Sequence, residues 1–262
     1  MLLRQCNAQP AMLTSAYPGN MDSPVNIICM KWGTKYGAEY VNTLFYMVQR
    51  HLTLPFQLTC FTDNPTGIDS RVRIAELPTL DLPKGSPERG WNKLTTLQNS
   101  LGGLSGEALF LDLDVVIVSN IDDLFIQPGQ FIIIQDAKLR RRNIGNSSVY
   151  RFHIGRYDDI LQKFRREFSN IQQQYRNEQA YLSAEIAKLG ELSFWPERWC
   201  PSFKYHCMQP WPLAYFRDAR LPAEAKIVIF HGHPEPNEAI QGVTHKWYRP
   251  VRPTPWVAEH WH

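Results

Sequence analysis

Cysteine is scarce and scattered in this chain: five residues, at 6, 29, 60, 200 and 207, an odd number without one Cys-x-x-Cys pair. That excludes a disulfide framework and points to a reducing compartment, here the cytoplasm. Cys200, His206 and Cys207 are grouped, but their spacing fits no common zinc pattern, and they read as buried or idle side chains. Long apolar runs are missing too, since no stretch approaches the ~20 residues that a spanning helix requires. The first residues carry Pro10, Pro18 and Gly19 and no apolar run of signal-peptide length, so residues 1–22 are expected to form a loose extension. Nor does one sign of charge dominate. Twenty-eight basic residues against 25 acidic leave a net +3, too even a balance to imply nucleic acid as the partner. There is no internal repeat and no linker long enough to separate independent cores, so residues 23–262 are expected to form one domain.

What is present suffices for a folded core, with 44% hydrophobic and 12% aromatic residues over 262 positions. Residues 25–30 and 56–61 are short apolar runs, and between them Tyr40, Leu44, Met47, Val48 and His51 form a helical stripe. Strand, helix and strand at this spacing predict a βαβ unit in a parallel sheet. A third strand is expected near 72–77, then a Pro- and Gly-rich loop over 78–90 and a helix from Trp91 carrying Leu94, Leu97 and Leu101. A short helical turn at 122–125, strands at 131–134 and 145–152, and two helices flanking the glutamines at 172–174 follow. Residues 191–216 are irregular and aromatic, and the last strong strand, 226–230, runs into His231-Gly232-His233-Pro234-Glu235-Pro236. The expected class is α/β, with a Rossmann-like, mostly parallel central sheet flanked by helices.

The most informative segment is 108–118, Ala-Leu-Phe-Leu-Asp112-Leu-Asp114-Val-Val-Ile-Val, in which two carboxylates are the only charges. On a single strand alternate side chains share a face, so both acids are expected to project together where the strand meets a cleft. Two hard oxygen ligands suit a divalent cation, which can clamp a diphosphate and stabilise the charge developed as it leaves. Asp-x-Asp alone is common by chance. The apolar flanks argue for a site, because a buried strand does not carry two acids without compensation.

The Asp112-Leu-Asp114 strand, Asn146-Ser147-Ser148-Val149, Glu178-Gln179 and the strand end at His231 follow the N-terminal βαβ unit in an order that resembles a GT-A-fold glycosyltransferase. The layout is most similar to glycosyltransferase family 8, over about residues 25–240. The resemblance implies a Mn²⁺ (or Mg²⁺) ion held by Asp112, Asp114 and His231, with the aspartates also meeting the donor's ribose and diphosphate. It further implies donor-sugar contacts from Asn146 and Ser147, donor hydroxyls held by Glu178, and Gln179 beside the anomeric carbon. Serine stands where the family has glycine, Ala180 where it has a third carboxylate, and Glu235 near the place of a diphosphate-binding lysine. Lys93, and after it Lys246, are the candidates to supply that charge. At the first βα turn Tyr36 is a candidate to stack on uracil and Asp63 to accept its N–H; as plain structure, they are a helix-start aromatic and a turn residue. The implied activity moves a sugar from a UDP-sugar to a hydroxyl on a glycan or lipid-linked acceptor, with retention. The nucleotide-binding region would span about 23–125 and the acceptor side about 126–262.

Three other readings compete. Asp112 also fits the nucleophile of haloacid-dehalogenase-like phosphatases, but those open with that strand. His231-x-His233 fits a hydrolytic metal centre, with His233 more simply a neighbour. A nucleotide-sugar-binding protein without turnover would keep the pocket alone. The aromatic stretch 194–216 suits either acceptor stacking or core packing. Lys138, Arg140, Arg141 and Arg142, with Arg151 and Arg156 beyond, form either a solvated loop or a surface for phosphates or the inner face of an anionic membrane.

Overall fold

The computed structural model describes residues 23–82, 90–138 and 143–262. The expected extension over 1–22, together with Arg140, Arg141 and Arg142, lies outside the described residues.

The N-terminal βαβ unit and the third strand form as their pattern predicts, whereas the helix expected to carry Leu101 is a 3₁₀ helix that ends at Leu97. β1 (Val25–Lys31), α1 (Ala38–His51), β2 (Phe56–Thr62) and β3 (Arg73–Glu76) are followed by a 3₁₀ helix (Trp91–Leu97) and β4 (Glu107–Leu111). β1 pairs in parallel with both β2 and β4, and β2 with β3. Then come β5 (Val115–Ile117), α2 (Asp123–Ile126), β6 (Phe131–Gln135) and β7 (Gly145–His153). α3 (Asp158–Gln174), α4 (Glu178–Lys188), β8 (Leu192–Phe194), β9 (Ile227–Ile229), α5 (Pro236–Gln241) and α6 (Pro255–His260) complete the chain. The glutamines at 172–174 end α3 rather than separating the helices, and residues 175–177 make the break.

A seven-stranded sheet runs in the order β3-β2-β1-β4-β7-β6-β8, with β7 antiparallel to both its neighbours. Both faces are covered, which is why its strands read as unbroken apolar runs. Ile27, Cys29, Leu109 and Leu111 point into one core with α1, while Ile28, Met30, Ala108 and Phe110 point into the other with Trp91, Leu94 and Phe164. Truncation of a side chain as enclosed as Leu109, 0% exposed, costs about 2–5 kcal/mol.

The structure corrects the sequence reading at the acidic segment. Residues 108–118 are not one strand: β4 ends at Leu111, Asp112–Asp114 form a turn, and β5 leaves to pair antiparallel with β9 in a second, two-stranded sheet. Apolar flanks on both sides hide this break, because two buried strands joined by a tight turn have the same hydropathy as one. The late strand belongs to that second sheet as well. No helix among the described residues is long and apolar enough to cross a membrane.

Of the basic cluster, Arg151 is a core residue whose guanidinium donates to the carbonyls of Leu124 and Gln127 at 2.8 and 2.5 Å. Arg156 pairs with Glu191.

Candidate functional site

A cleft of about 660 Å³ opens where β1 and β4 end, lined by Trp32, Tyr36, Gly90, Lys93, Asp112 and Asp114 among others. Carboxyl ends of parallel strands are where an open α/β sheet offers backbone and loops to a ligand. The turn at Asp112–Asp114 places both acids there, and Asp112 N–H donates to the carbonyl of Ser148 at 2.9 Å, which extends the β4–β7 ladder by one bond.

Each acid has one polar partner that fixes it. Lys93 Nζ lies 2.7 Å from both carboxylate oxygens of Asp112, and the Tyr36 hydroxyl donates to Asp114 Oδ2 at 2.9 Å. Burial, then the charge of Asp112, pushes the Asp114 carboxyl up to about 7, against the lowering effect of Tyr36 and Lys93. Burial opposes the charge on Lys93, yet Asp112 and Glu178 hold its ammonium above the ordinary range. The cleft floor is thus a low-dielectric pair of carboxylates with one internal cation.

Asn177 caps α4, its side chain accepting from Ala180 N–H at 3.2 Å, so the helix begins with Glu178 and Gln179 against the start of β7. Ser147 Oγ donates to Glu178 Oε1 at 2.5 Å, and Gln179 Oε1 accepts from Ser147 N–H at 3.4 Å. Burial raises the Glu178 carboxyl, while Lys93 and Ser147 oppose the rise. Asn146, also buried, accepts from Ser148 N–H at 3.0 Å. Gly90 is required by two constraints: its φ is +76°, and a Cβ would stand 3.3 Å from Glu178 Oε2.

His231 sits two residues beyond β9. The pairing Val115↔Ile229, continued along both strands, sets it abreast of Leu113 in the acidic turn. Its imidazole turns elsewhere, with Nε2 3.2 Å from Ser202 Oγ. Asp112, Asp114 and His231 do not bring their ligand atoms within 4.8 Å of one another; among the described residues that closeness is met by His233, Glu238 and His245. Burial and Lys204 hold His231 down to about 4, so the ring is neutral. Glu235 is neutralised by Lys35 at 3.1 Å, and it also takes part in the capping box of α5 with Glu238. Lys35 in turn reaches the Tyr36 hydroxyl at 2.6 Å, so the late loop is wired to the acidic turn.

Of the expected site residues, Tyr36, Lys93, Asp112 and Asp114 line the cleft, while Ser147, whose carbonyl lies 3.4 Å from Lys93 Nζ, and its partners Glu178 and Gln179 pack behind that lysine with Asn146 next in the chain. Asp63 does not line it; Oδ2 accepts from Gly33 N–H at 2.9 Å and props the loop that does. Tyr36 is not a free stacking surface, because Tyr40 lies 4.7 Å from its ring and Lys35 sits 4.4 Å from its centroid. Lys246 lines a different cavity. In the aromatic stretch Trp195 and Phe203 are core, while Trp211, Tyr215 and Phe216 are exposed. Trp32, Lys35 and Gly90 escaped sequence reasoning; the Gly before Trp91 was the one available signal, and nothing local marks the other two.

No family model and no curated protein matches the chain. Solved structures do. The galactosyltransferase LgtC, in complex with donor and acceptor sugar analogs, aligns at 11% identity with a TM-score of 0.55, over 81% of this chain and 89% of that one. The bifunctional glycosyltransferase WbbM aligns at 9% identity and a TM-score of 0.56 over 82% of this chain and 47% of its own. The glycosyltransferase GlyE of Streptococcus pneumoniae TIGR4 gives 11%, 0.53, 82% and 56% in the same order. At such identity the likeness is one of fold, and the expected GT-A-type α/β architecture is the one observed.

Proposed function

We propose that this protein transfers a sugar from a nucleoside diphosphate donor, a UDP-sugar, to a hydroxyl acceptor. The observation that carries the reading is the Asp112–Asp114 turn, two carboxylates held side by side at the strand-end cleft of a fold shared with LgtC, WbbM and GlyE. LgtC's structure holds donor and acceptor sugar analogs, which supports a donor and an acceptor meeting in such a cleft.

The donor set fits a divalent cation. Two hard oxygens stand at a solvent-reaching cleft, and the repulsion that raises Asp114 is what a bound cation would relieve. Asp112 and Asp114 would hold Mn²⁺ or Mg²⁺, joined by the neutral His231 once its ring leaves Ser202. Bound there, such an ion would supply positive charge against the diphosphate that leaves. Tyr36 fixes the rotamer of Asp114, and Lys93 adds a fixed positive charge where phosphate charge accumulates. Glu178, locked by Ser147, accepts from donor hydroxyls, with Gln179 beside the anomeric carbon and Asn146 and Ser147 against the sugar.

Ala180 offers no nucleophile. Retention then proceeds by same-face attack: the anomeric C–O bond to the diphosphate breaks, the acceptor oxygen bonds to that carbon, and its proton passes to the departing phosphate. Among the described residues three strands precede the one before Asp112, which borders an antiparallel neighbour, and this separates the site from the phosphatase layout.

A panel of nucleotide sugars, scored for UDP release with Mn²⁺ and again with chelator, tests the reading. Release that chelator stops is the expected result. Release indifferent to chelator removes the metal; nucleotide-sugar binding without release makes this a binding protein; no nucleotide-sugar binding at all overturns the proposal.

A further inference from the structure

We infer a second anion site in this protein, a cavity that takes a phosphate or diphosphate group carried by the acceptor. The inference rests on the glycosyl-transfer reading above. The cavity, about 170 Å³, is lined by Lys204, Lys246, Arg249, His233 and His245 with Pro234 and Val251, and it shares no lining residue with the donor cleft. Every ionisable group in that lining is basic.

Lys138 brings a fourth cation. Its Nζ lies 5.2 Å from the Tyr205 ring centroid, and the Arg249 guanidinium lies 5.7 Å from the same ring. Burial, then repulsion from Arg249, Lys138 and Lys246, pulls Lys204 down to about 8, so Lys204 feels each of the other three cations. Cations outside the group have found acids: Arg252 pairs with Asp218 at 2.6 Å and Lys226 with Asp123 at 2.7 Å. Among the described residues none of the four has such a partner.

Glu238 does not discharge the cluster. Its oxygens already accept from His233 Nδ1 at 2.8 Å, His245 Nε2 at 2.9 Å and Glu235 N–H at 2.8 Å, so it braces the two rings and the start of α5. Like charges gathered around this cavity, Lys204 and Arg249 partly buried and Lys246 and Lys138 exposed, repel one another, and a ligand with two or more negative charges offsets that cost. Lys204 keeps donors for such a ligand, since the His231 carbonyl takes one of the three an ammonium offers.

Position assigns the anion to the acceptor. Pro234 lines this cavity, whereas the adjacent Glu235 bonds Lys35 at the donor cleft, so one short turn separates the two chambers. Trp247 and Tyr248, 71% and 47% exposed, stand between Lys246 and Arg249 in the chain. Cations turned to a cavity, with two exposed aromatic residues next to them in the chain, suit a phosphate joined to a sugar ring or to a lipid.

The test is calorimetric titration with inorganic pyrophosphate, with and without saturating UDP, on the wild type, on Lys246→Ala/Arg249→Ala and on Lys138→Ala. The wild type is expected to bind pyrophosphate with UDP present, and the double variant to lose roughly tenfold or more in affinity, the scale of losing charge-assisted hydrogen bonds. Lys138→Ala, remote from the loop 242–250, should weaken binding in the same direction if the double variant fails to fold. Unchanged binding in folded variants, or displacement of pyrophosphate by UDP, overturns the inference. Failure of UDP to bind the wild type would instead strike the donor reading. Co-sedimentation with phosphatidylcholine vesicles, with and without phosphatidic acid, identifies the carrier: capture by phosphatidic acid that the double variant loses supports a lipid-borne phosphate, and pyrophosphate binding without capture supports a phosphorylated glycan.

Discussion

The hydroxyl of Tyr36 and the carboxylate of Asp114, 78 positions apart in the chain, meet in a 2.9 Å hydrogen bond at the floor of the cleft. Tyr36→Phe removes the bond and leaves the ring packing against Tyr40. A hydrogen bond to a charged group is worth about 1.5–3 kcal/mol, so kcat/KM for donor turnover should fall by roughly tenfold or more. Initial rates of UDP release against donor concentration measure it, and a wild-type value would remove Tyr36 from the site.

Asp114→Asn should separate function from stability. The variant loses Mn²⁺-stimulated UDP release because a hard anionic ligand is gone. It also relieves the burial and repulsion that raise this carboxyl, so its urea midpoint at neutral pH should rise. A lowered midpoint would mean that the buried charge stabilises the fold.

Lys93→Met strands two acids. Asp112 and Glu178 both depend on this ammonium, and breaking a buried pair from one side costs about 3–5 kcal/mol. Adding Asp112→Asn should recover some of the loss, and denaturant titrations of the four members of the cycle would read the coupling. Additive losses would show that the ion pair carries no interaction energy.

Glu191 should govern acid stability. Hydrogen bonds from Arg156 and then Tyr157 depress its carboxyl to about 2. A depressed acid stabilises the fold fully above its unfolded value, near 4.5, and that contribution fades as pH falls toward 2. Glu191→Gln should therefore show a shallower loss of stability across that window, seen in urea midpoints at stepped pH. Parallel wild-type and variant curves would assign the acid slope to other groups.

Much of this arrangement was legible from local pattern. Residues 25–62 announce a βαβ unit through apolar runs around one helical stripe, and Asp112 and Asp114 stand out as the only charges in an apolar segment. Long-range wiring was not legible. Nothing near Tyr36 says that its hydroxyl will find Asp114 rather than present a ring to a base, and Glu235 looks repulsive to phosphate until Lys35 is seen beside it. The break between β4 and β5 was hidden for a different reason, because hydropathy reports burial and not direction. His231 lies in between: its strand end is visible in the sequence, while the turn of its ring toward Ser202 is a matter of packing.

The reversed direction of β7 has a consequence for how the cleft can diversify. Asn146, Ser147 and Ser148 are held by a register set deeper in the sheet, where Phe110 faces Tyr150 and their rings stack 4.7 Å apart. The chain leading into Gly145 can therefore lengthen, shorten or change composition without moving those polar groups. A protein built this way can alter what it admits to the cleft while its bonding floor stays in place.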